Sequence, residues 1–201
     1  AAMPFLSMRK TSMGAVAADL VRVGFTGELG YEIYAGVKDG DALWELLWKA
    51  GRPFGMVACG YKAIDSLRAE KGYLYWGSDI TAGETPLESG LAFAVSKQKE
   101  FFGREKMYER EIKKKLVTMV LANPKAIVLG NEPVRVDGKI AGRVTSGSYG
   151  VSTGSSIAFA YLPPSLATTG TRAEVLVFGN WIAATVVKGP LYDPAGSALR
   201  S

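Results

Sequence analysis

The sequence has no histidine and only one cysteine, Cys59, in 201 residues. Without histidine the commonest general base and the commonest transition-metal ligand are both missing, so a zinc site would have to be assembled largely from carboxylates. A single cysteine excludes an internal disulfide framework and fits a reducing compartment. Apolar runs such as Ile182 to Val187 are far shorter than the roughly 20 residues that a membrane-crossing helix needs. The start, Ala1 to Lys10, has no long apolar stretch followed by a small-residue cleavage site, so no signal peptide is expected. Internal repeats and low-complexity segments are lacking too. The glycine-rich turns at Gly27 and Gly147 are not phosphate loops, since no Gly-Lys-Ser/Thr follows either, and no Rossmann fingerprint occurs.

What is present is an ordinary globular composition, 48% apolar and 21% charged, in a chain long enough to bury a core. Twenty-four Lys and Arg against nineteen Asp and Glu give a net charge of +5, a mild field that suits an anionic ligand. The basic residues are scattered. The one dense run, Lys113 to Lys115, stands beside Glu109, Arg110 and Glu111 and is read as a solvated helix end rather than a phosphate track.

Two styles of sequence meet near residue 115. Before it, β-rich runs (Ala17 to Phe25, Tyr31 to Tyr34) alternate with helical patterns. Leu43, Leu46, Leu47 and Ala50 make one apolar face of a helix capped by Asp39 or Asp41, and Trp44 and Trp48 widen that face as core residues. A second helix is expected over 60–71, with Asp65 paired to Arg68 at i, i+3 and Gly72 as terminator. Thr85-Pro-Leu-Glu88 reads as a capping box opening a helix, and 102–114 as a further, charged helix.

From Leu116 onward the expected strands are 116–122, 132–137, 139–145, 156–161, 172–178 and 181–187, with Asp137-Gly138 and Gly179-Asn180 as two-residue hairpin turns. Short strands at this spacing argue for an antiparallel barrel or sandwich. The fold class expected is α+β: an α+β, ferredoxin-like domain over 1–114, then a C-terminal all-β antiparallel barrel over 115–201.

Eight stretches, in this order, resemble the glycine-cleavage T protein (aminomethyltransferase) superfamily. They are Gly24-Phe-Thr-Gly-Glu-Leu-Gly-Tyr-Glu-Ile33, Asp65-Ser-Leu-Arg-Ala-Glu-Lys-Gly-Tyr73, Trp76-Gly-Ser-Asp-Ile80, Thr85-Pro-Leu-Glu-Ser-Gly-Leu91, Phe102-Gly-Arg-Glu105, Gly142-Arg-Val-Thr-Ser-Gly147, Ser156-Ile-Ala-Phe-Ala-Tyr-Leu-Pro163 and Pro190-Leu-Tyr-Asp-Pro194. The last two resemble most the folate-binding end of dimethylglycine and sarcosine dehydrogenases, in which a flavin domain precedes this module. The resemblance implies tetrahydrofolate as cofactor, with FAD only in an upstream domain. It also implies three domains around a central folate site, of which this chain carries the second and third. The first, with the catalytic aspartate, would precede Ala1, and no stretch here matches it. No catalytic residue is therefore assigned.

The resemblance puts Glu32 at the family's pterin-binding glutamate. An ionised carboxylate is acceptor-only and can receive the pterin's ring N–H and exocyclic NH2 together. The residues alone favour a solvent-facing glutamate on a short strand, with Tyr31 and Ile33 turned the other way, and it is the resemblance that reverses this. Glu28 is the weaker candidate, serving the turn. Phe25 stands where the family often has tyrosine, so its ring can stack on a pterin but brings no hydroxyl; plain core is the equal alternative. Tyr31 and Trp76 complete the expected binding set, Trp76 and Tyr75 being read either as cleft wall or as core. Ile64 replaces an arginine of the T proteins, a departure that favours the dehydrogenase relatives. Arg68 and Glu70 are read as structural ion-pair residues, and Tyr192 with Asp193 as a strand-end lock stiffened by Pro190 and Pro194.

The function so implied is transfer of a one-carbon unit from an aminomethyl or iminium donor to tetrahydrofolate, giving 5,10-methylenetetrahydrofolate. Folate and a small methylated amine are the expected partners, with no nucleic acid and no membrane. The expected location is the cytoplasm, or the mitochondrial matrix in a eukaryote. The alternative is a non-catalytic folate-binding or interaction module. A tRNA-modifying folate relative would carry Lys-Gly-Cys where this chain has Lys71-Gly72-Tyr73.

Overall fold

In the computed structural model, which describes residues 3–201, the chain falls into two units, Ala1–Ile64 with Ala195–Ser201, and Asp65–Pro194. Ala1 and Ala2, where the reading of the N-terminal stretch begins, lie outside the described residues.

The first unit is a three-stranded antiparallel meander, β1 (Met8–Met13), β2 (Val16–Val21) and β3 (Glu32–Ala35), with the helix α1 (Gly40–Gly51). Val16 and Ala18 are buried on one face of β2 by the period-two rule. Gly14, at φ +59, makes the tight turn from β1 to β2, and a Cβ there would stand 2.7 Å from Leu46 Cδ1 of α1. Only glycine fits both the left-handed backbone and that approach. Leu43 is the buried residue of α1, while Ala50 is exposed. The core assignment of the tryptophans is corrected: Trp44 is 56% exposed, and the two rings stack on each other at 5.8 Å between centroids. Each indole finds its apolar cover in the other, one helical turn away.

The boundary between the units falls within α2 (Tyr61–Glu70). It ends in a Schellman motif around Gly72 (φ +72): Tyr73 N–H donates to Arg68 O at 2.9 Å and Gly72 N–H to Ala69 O at 3.1 Å. The capping box at Thr85 forms reciprocally, Thr85 N–H to Glu88 Oε2 at 2.8 Å and Glu88 N–H to Thr85 Oγ1 at 3.2 Å. Yet no helix follows, because Gly90, at φ +77, ends the winding after one turn. The charged helix is likewise shorter than its pattern, α3 (Arg104–Glu109), with Arg110 already extended.

β4 (Lys115–Leu121), β5 (Pro133–Val136), β6 (Lys139–Gly150), β7 (Ser155–Leu162), β8 (Arg172–Val177) and β9 (Asn180–Val187) close into a barrel in the order β4-β7-β6-β5-β8-β9. Alternate residues fill it, among them Val117, Met119 and Leu121 of β4, Val134, Val144, Ala158, Ala160 and Val175. Each buried valine or leucine contributes about 1.5–3 kcal/mol. β7 is buried on both faces. Its outer residues Ile157 and Phe159 pack with Ala69 of α2, which is why its sequence lacks polar alternation.

Two hairpins have two-residue turns with both residues at positive φ, the type I′ requirement. Asp137-Gly138 is one, as expected. The other is Phe178-Gly179, one residue earlier than the sequence suggests, since Asn180 already pairs with Val177 in β9. In the first unit, α4 (Ser197–Arg200) brings Leu199 into a buried position. Nearby in that unit, the Arg22 guanidinium donates to Met3 O at 2.5 Å and to Ser201 O.

Candidate functional site

β3 places Glu32 and Tyr34 on one face of the sheet, opposite Val21 and Asp19 of β2, which in turn face Met8 and Lys10 of β1. This is the open face, for Met8, Lys10, Ala17 and Tyr34 are all exposed and Glu32 is half-buried. The Tyr34 phenol donates to Glu32 Oε2. That hydrogen bond, then the carboxylate's charge, hold the Tyr34 pKa above its ordinary 10.0. Among the described residues, Glu32 Oε1 accepts no hydrogen bond.

The Gly24–Gly30 turn leads into β3. Phe25 and Glu28 are half-buried in it, and the exposed Tyr31 ring has the buried Arg22 guanidinium 5.8 Å from its centroid. Phe25, Tyr31 and Glu32 thus share the first unit. Trp76 belongs to the second, in the loop after α2, joined to Ile80 by a single bridge. It is 74% exposed, which removes the core reading of that side chain. Sequence reasoning missed Tyr34, although period two along β3 puts it beside Glu32.

The second unit gathers most of the remaining motifs into one buried network. Arg68 Nη1 lies 2.8 Å from Asp79 Oδ2, with side chains 2% and 0% exposed. The expected pairing of Arg68 with Asp65 is therefore corrected: Arg68 is buried over the rings of Tyr75 (4.2 Å) and Phe159 (5.6 Å), where Asp79 meets it. Asp79 also accepts from Tyr75 N–H at 2.9 Å and from the hydroxyls of Thr145 and Ser146, each at 2.6 Å. Consecutive strand residues normally point to opposite faces. Here a β-bulge between Val144 and Ser146 lets both hydroxyls reach one carboxylate.

Tyr161 donates to the Asp79 backbone carbonyl at 3.0 Å and meets Ser89 Oγ at 3.1 Å; burial pushes its pKa up to about 12. Lys114 Nζ is 2.6 Å from Glu84 Oε1, and hydrogen bonds from Lys114 and Thr81 bring Glu84 down to about 2. Glu70, fully buried, accepts from Ser152 N–H (3.0 Å), Ser152 Oγ (2.8 Å) and Thr153 N–H (3.2 Å), so its partners are loop donors and not an arginine. The C-terminal lock exists: Lys71 pairs with Asp193 at 2.7 Å, and Leu191 and Tyr192 N–H donate to Glu70 O. Among the described residues no cluster of metal-ligating side chains occurs, and no helix is long and apolar enough to cross a membrane.

Residues 1–99 match the family model described as the GCVT N-terminal domain, and 114–193 match the glycine cleavage T-protein C-terminal barrel domain. Mitochondrial dimethylglycine dehydrogenase of Rattus norvegicus is 35% identical over 93% of this chain and 22% of its own length. The aminomethyltransferase of Symbiobacterium thermophilum is 37% identical over 94% of this chain and 52% of its own. The crystal structure of the glycine cleavage system aminomethyltransferase T from Bartonella henselae superposes with a TM-score of 0.84 at 27% identity, covering 96% of this chain and 54% of that one. The chain thus spans about half the length of these aminomethyltransferases and about a fifth of the dehydrogenase. With both of its parts matched in order and its fold shared, the chain belongs to the glycine-cleavage T-protein (aminomethyltransferase) family.

Proposed function

We propose that this chain is the folate-binding part of a tetrahydrofolate-dependent aminomethyltransferase-type module, with Glu32 as the pterin anchor. The observation that carries the reading is the Glu32 carboxylate on the open face of the first unit's sheet, with Oε1 available to donors. Such an acceptor-only group suits the adjacent N–H donors of a reduced pterin. The pterin therefore fits the residues present. Phe25 and Tyr31 offer rings for stacking in the same unit, while Trp76 is exposed in the second. Tetrahydrofolate supplies the nucleophilic amines that take up the one-carbon unit; this chain's residues bind and orient it and limit the approach of water.

In this reading the complete protein moves a one-carbon unit from an aminomethyl or iminium donor to tetrahydrofolate, giving 5,10-methylenetetrahydrofolate and releasing an amine. A small methylated amine or aminomethyl compound is its other ligand, and its setting is the cytoplasm or, in a eukaryote, the mitochondrial matrix. Residues 1–114 form the folate domain and 115–201 the barrel domain, a division supported by the start of β4 at Lys115.

Titration of the chain with tetrahydrofolate, by calorimetry, tests the anchor. Glu32→Ala is expected to weaken binding on the order of tenfold or more, the usual consequence of losing hydrogen bonds to a charged group. Unchanged affinity would remove Glu32 from the site.

A further inference from the structure

We infer that Tyr34 is a positioning residue for Glu32, its phenol fixing the carboxylate so that a ligand with two adjacent N–H donors is gripped in one orientation. This rests on the reading of Glu32 as the pterin anchor. The two side chains lie two residues apart on β3, on the same open face, and the phenol donates to Oε2. A glutamate on an exposed strand otherwise samples many rotamers, and ordering it on binding costs free energy that lowers affinity. With Tyr34 bound to one oxygen, the carboxylate is already held, while Oε1 and the remaining lone pair of Oε2 are left for the ligand.

The direction of the bond is set by chemistry. An ionised carboxylate cannot donate, so the phenol must. The other charged groups on this face are Asp19, the cross-strand partner of Tyr34, and Lys10, the partner of Asp19. The carboxylate's hydrogen bond and charge hold the phenol's pKa above 10.0, so Tyr34 remains a donor at neutral pH. Tyr34 is 58% exposed and contributes little to packing, so its replacement by phenylalanine should remove the hydroxyl without disturbing the fold.

The test compares two ligands, tetrahydrofolate and its analogue lacking the 2-amino group, on the unsubstituted chain, Tyr34→Phe and Glu32→Gln, with melting temperature as a control. The expected result is that Tyr34→Phe weakens tetrahydrofolate roughly tenfold, narrows the preference over the 2-desamino analogue, and leaves the melting temperature unchanged. If Glu32→Gln leaves tetrahydrofolate binding unaltered, the anchor reading itself fails. If Glu32→Gln weakens binding but Tyr34→Phe changes neither affinity nor preference, the anchor stands and the positioning role is overturned. Equal loss for both ligands in Tyr34→Phe also overturns it, since that marks a general effect on the surface.

Discussion

Arg68 and Asp79 face each other at 2.8 Å in the second unit, both out of reach of water, and Asp79 takes three further hydrogen bonds from Tyr75, Thr145 and Ser146. Two charges so placed stabilise the fold only as a pair. Removing one leaves the other buried and uncompensated, at a cost of about 3–5 kcal/mol. Asp79→Asn and Arg68→Met are each expected to lose stability in that range by urea unfolding. A double-mutant cycle should show strong non-additivity.

Acid should find the Glu84–Lys114 pair. The Glu84 pKa falls from 4.5 unfolded to about 2 folded, with the Lys114 hydrogen bond as the first cause. A depressed carboxyl pKa contributes stability that is full above the unfolded value and is lost as pH falls through the folded one. The stability difference between the unsubstituted chain and Lys114→Gln is therefore expected to shrink between about pH 4.5 and about 2. Denaturation at a series of acid pH values measures it, and a constant difference would contradict the pairing.

Base should find Tyr161. Its pKa rises from 10.0 to about 12, chiefly through burial. A raised value gives stability fully present below pH 10.0 and lost as pH climbs through about 12. Tyr161→Phe is expected to cost about 1–2 kcal/mol at neutral pH by leaving the Asp79 carbonyl and Ser89 short of a partner. It should also flatten the alkaline limb of the stability curve.

The Tyr34 phenol is expected to ionise above 10.0 in the intact chain and closer to that value in Glu32→Gln. Carbon-13 NMR of labelled tyrosine follows this single resonance. Identical midpoints in the two proteins would mean that the bond to Glu32 does not form in solution.

The barrel is legible in the sequence because its determinants are local. Alternation in β4 and β8 fixes the inward residues, and Asp137-Gly138 supplies the positive φ that its turn demands. The second turn is misplaced by one residue because Phe178, a poor candidate for positive φ, takes that role in place of Asn180. β1 is not legible: Met-Arg-Lys-Thr-Ser-Met is an edge strand, mostly exposed, with no apolar face to mark it. Of the proposed binding residues, Glu32 is found through its motif. The partner of Arg68 is missed because Asp79 and Ser146 reach it through tertiary packing that helix spacing cannot reveal.

The bulge at Thr145 has a consequence for how such chains evolve. It joins the stretches around Arg68, Asp79 and Ser146, so three of the stretches that carry the family resemblance hold internal fastenings. Glu32, the proposed anchor, is not among them. A protein could therefore keep its ancestral signature while its chemistry changes.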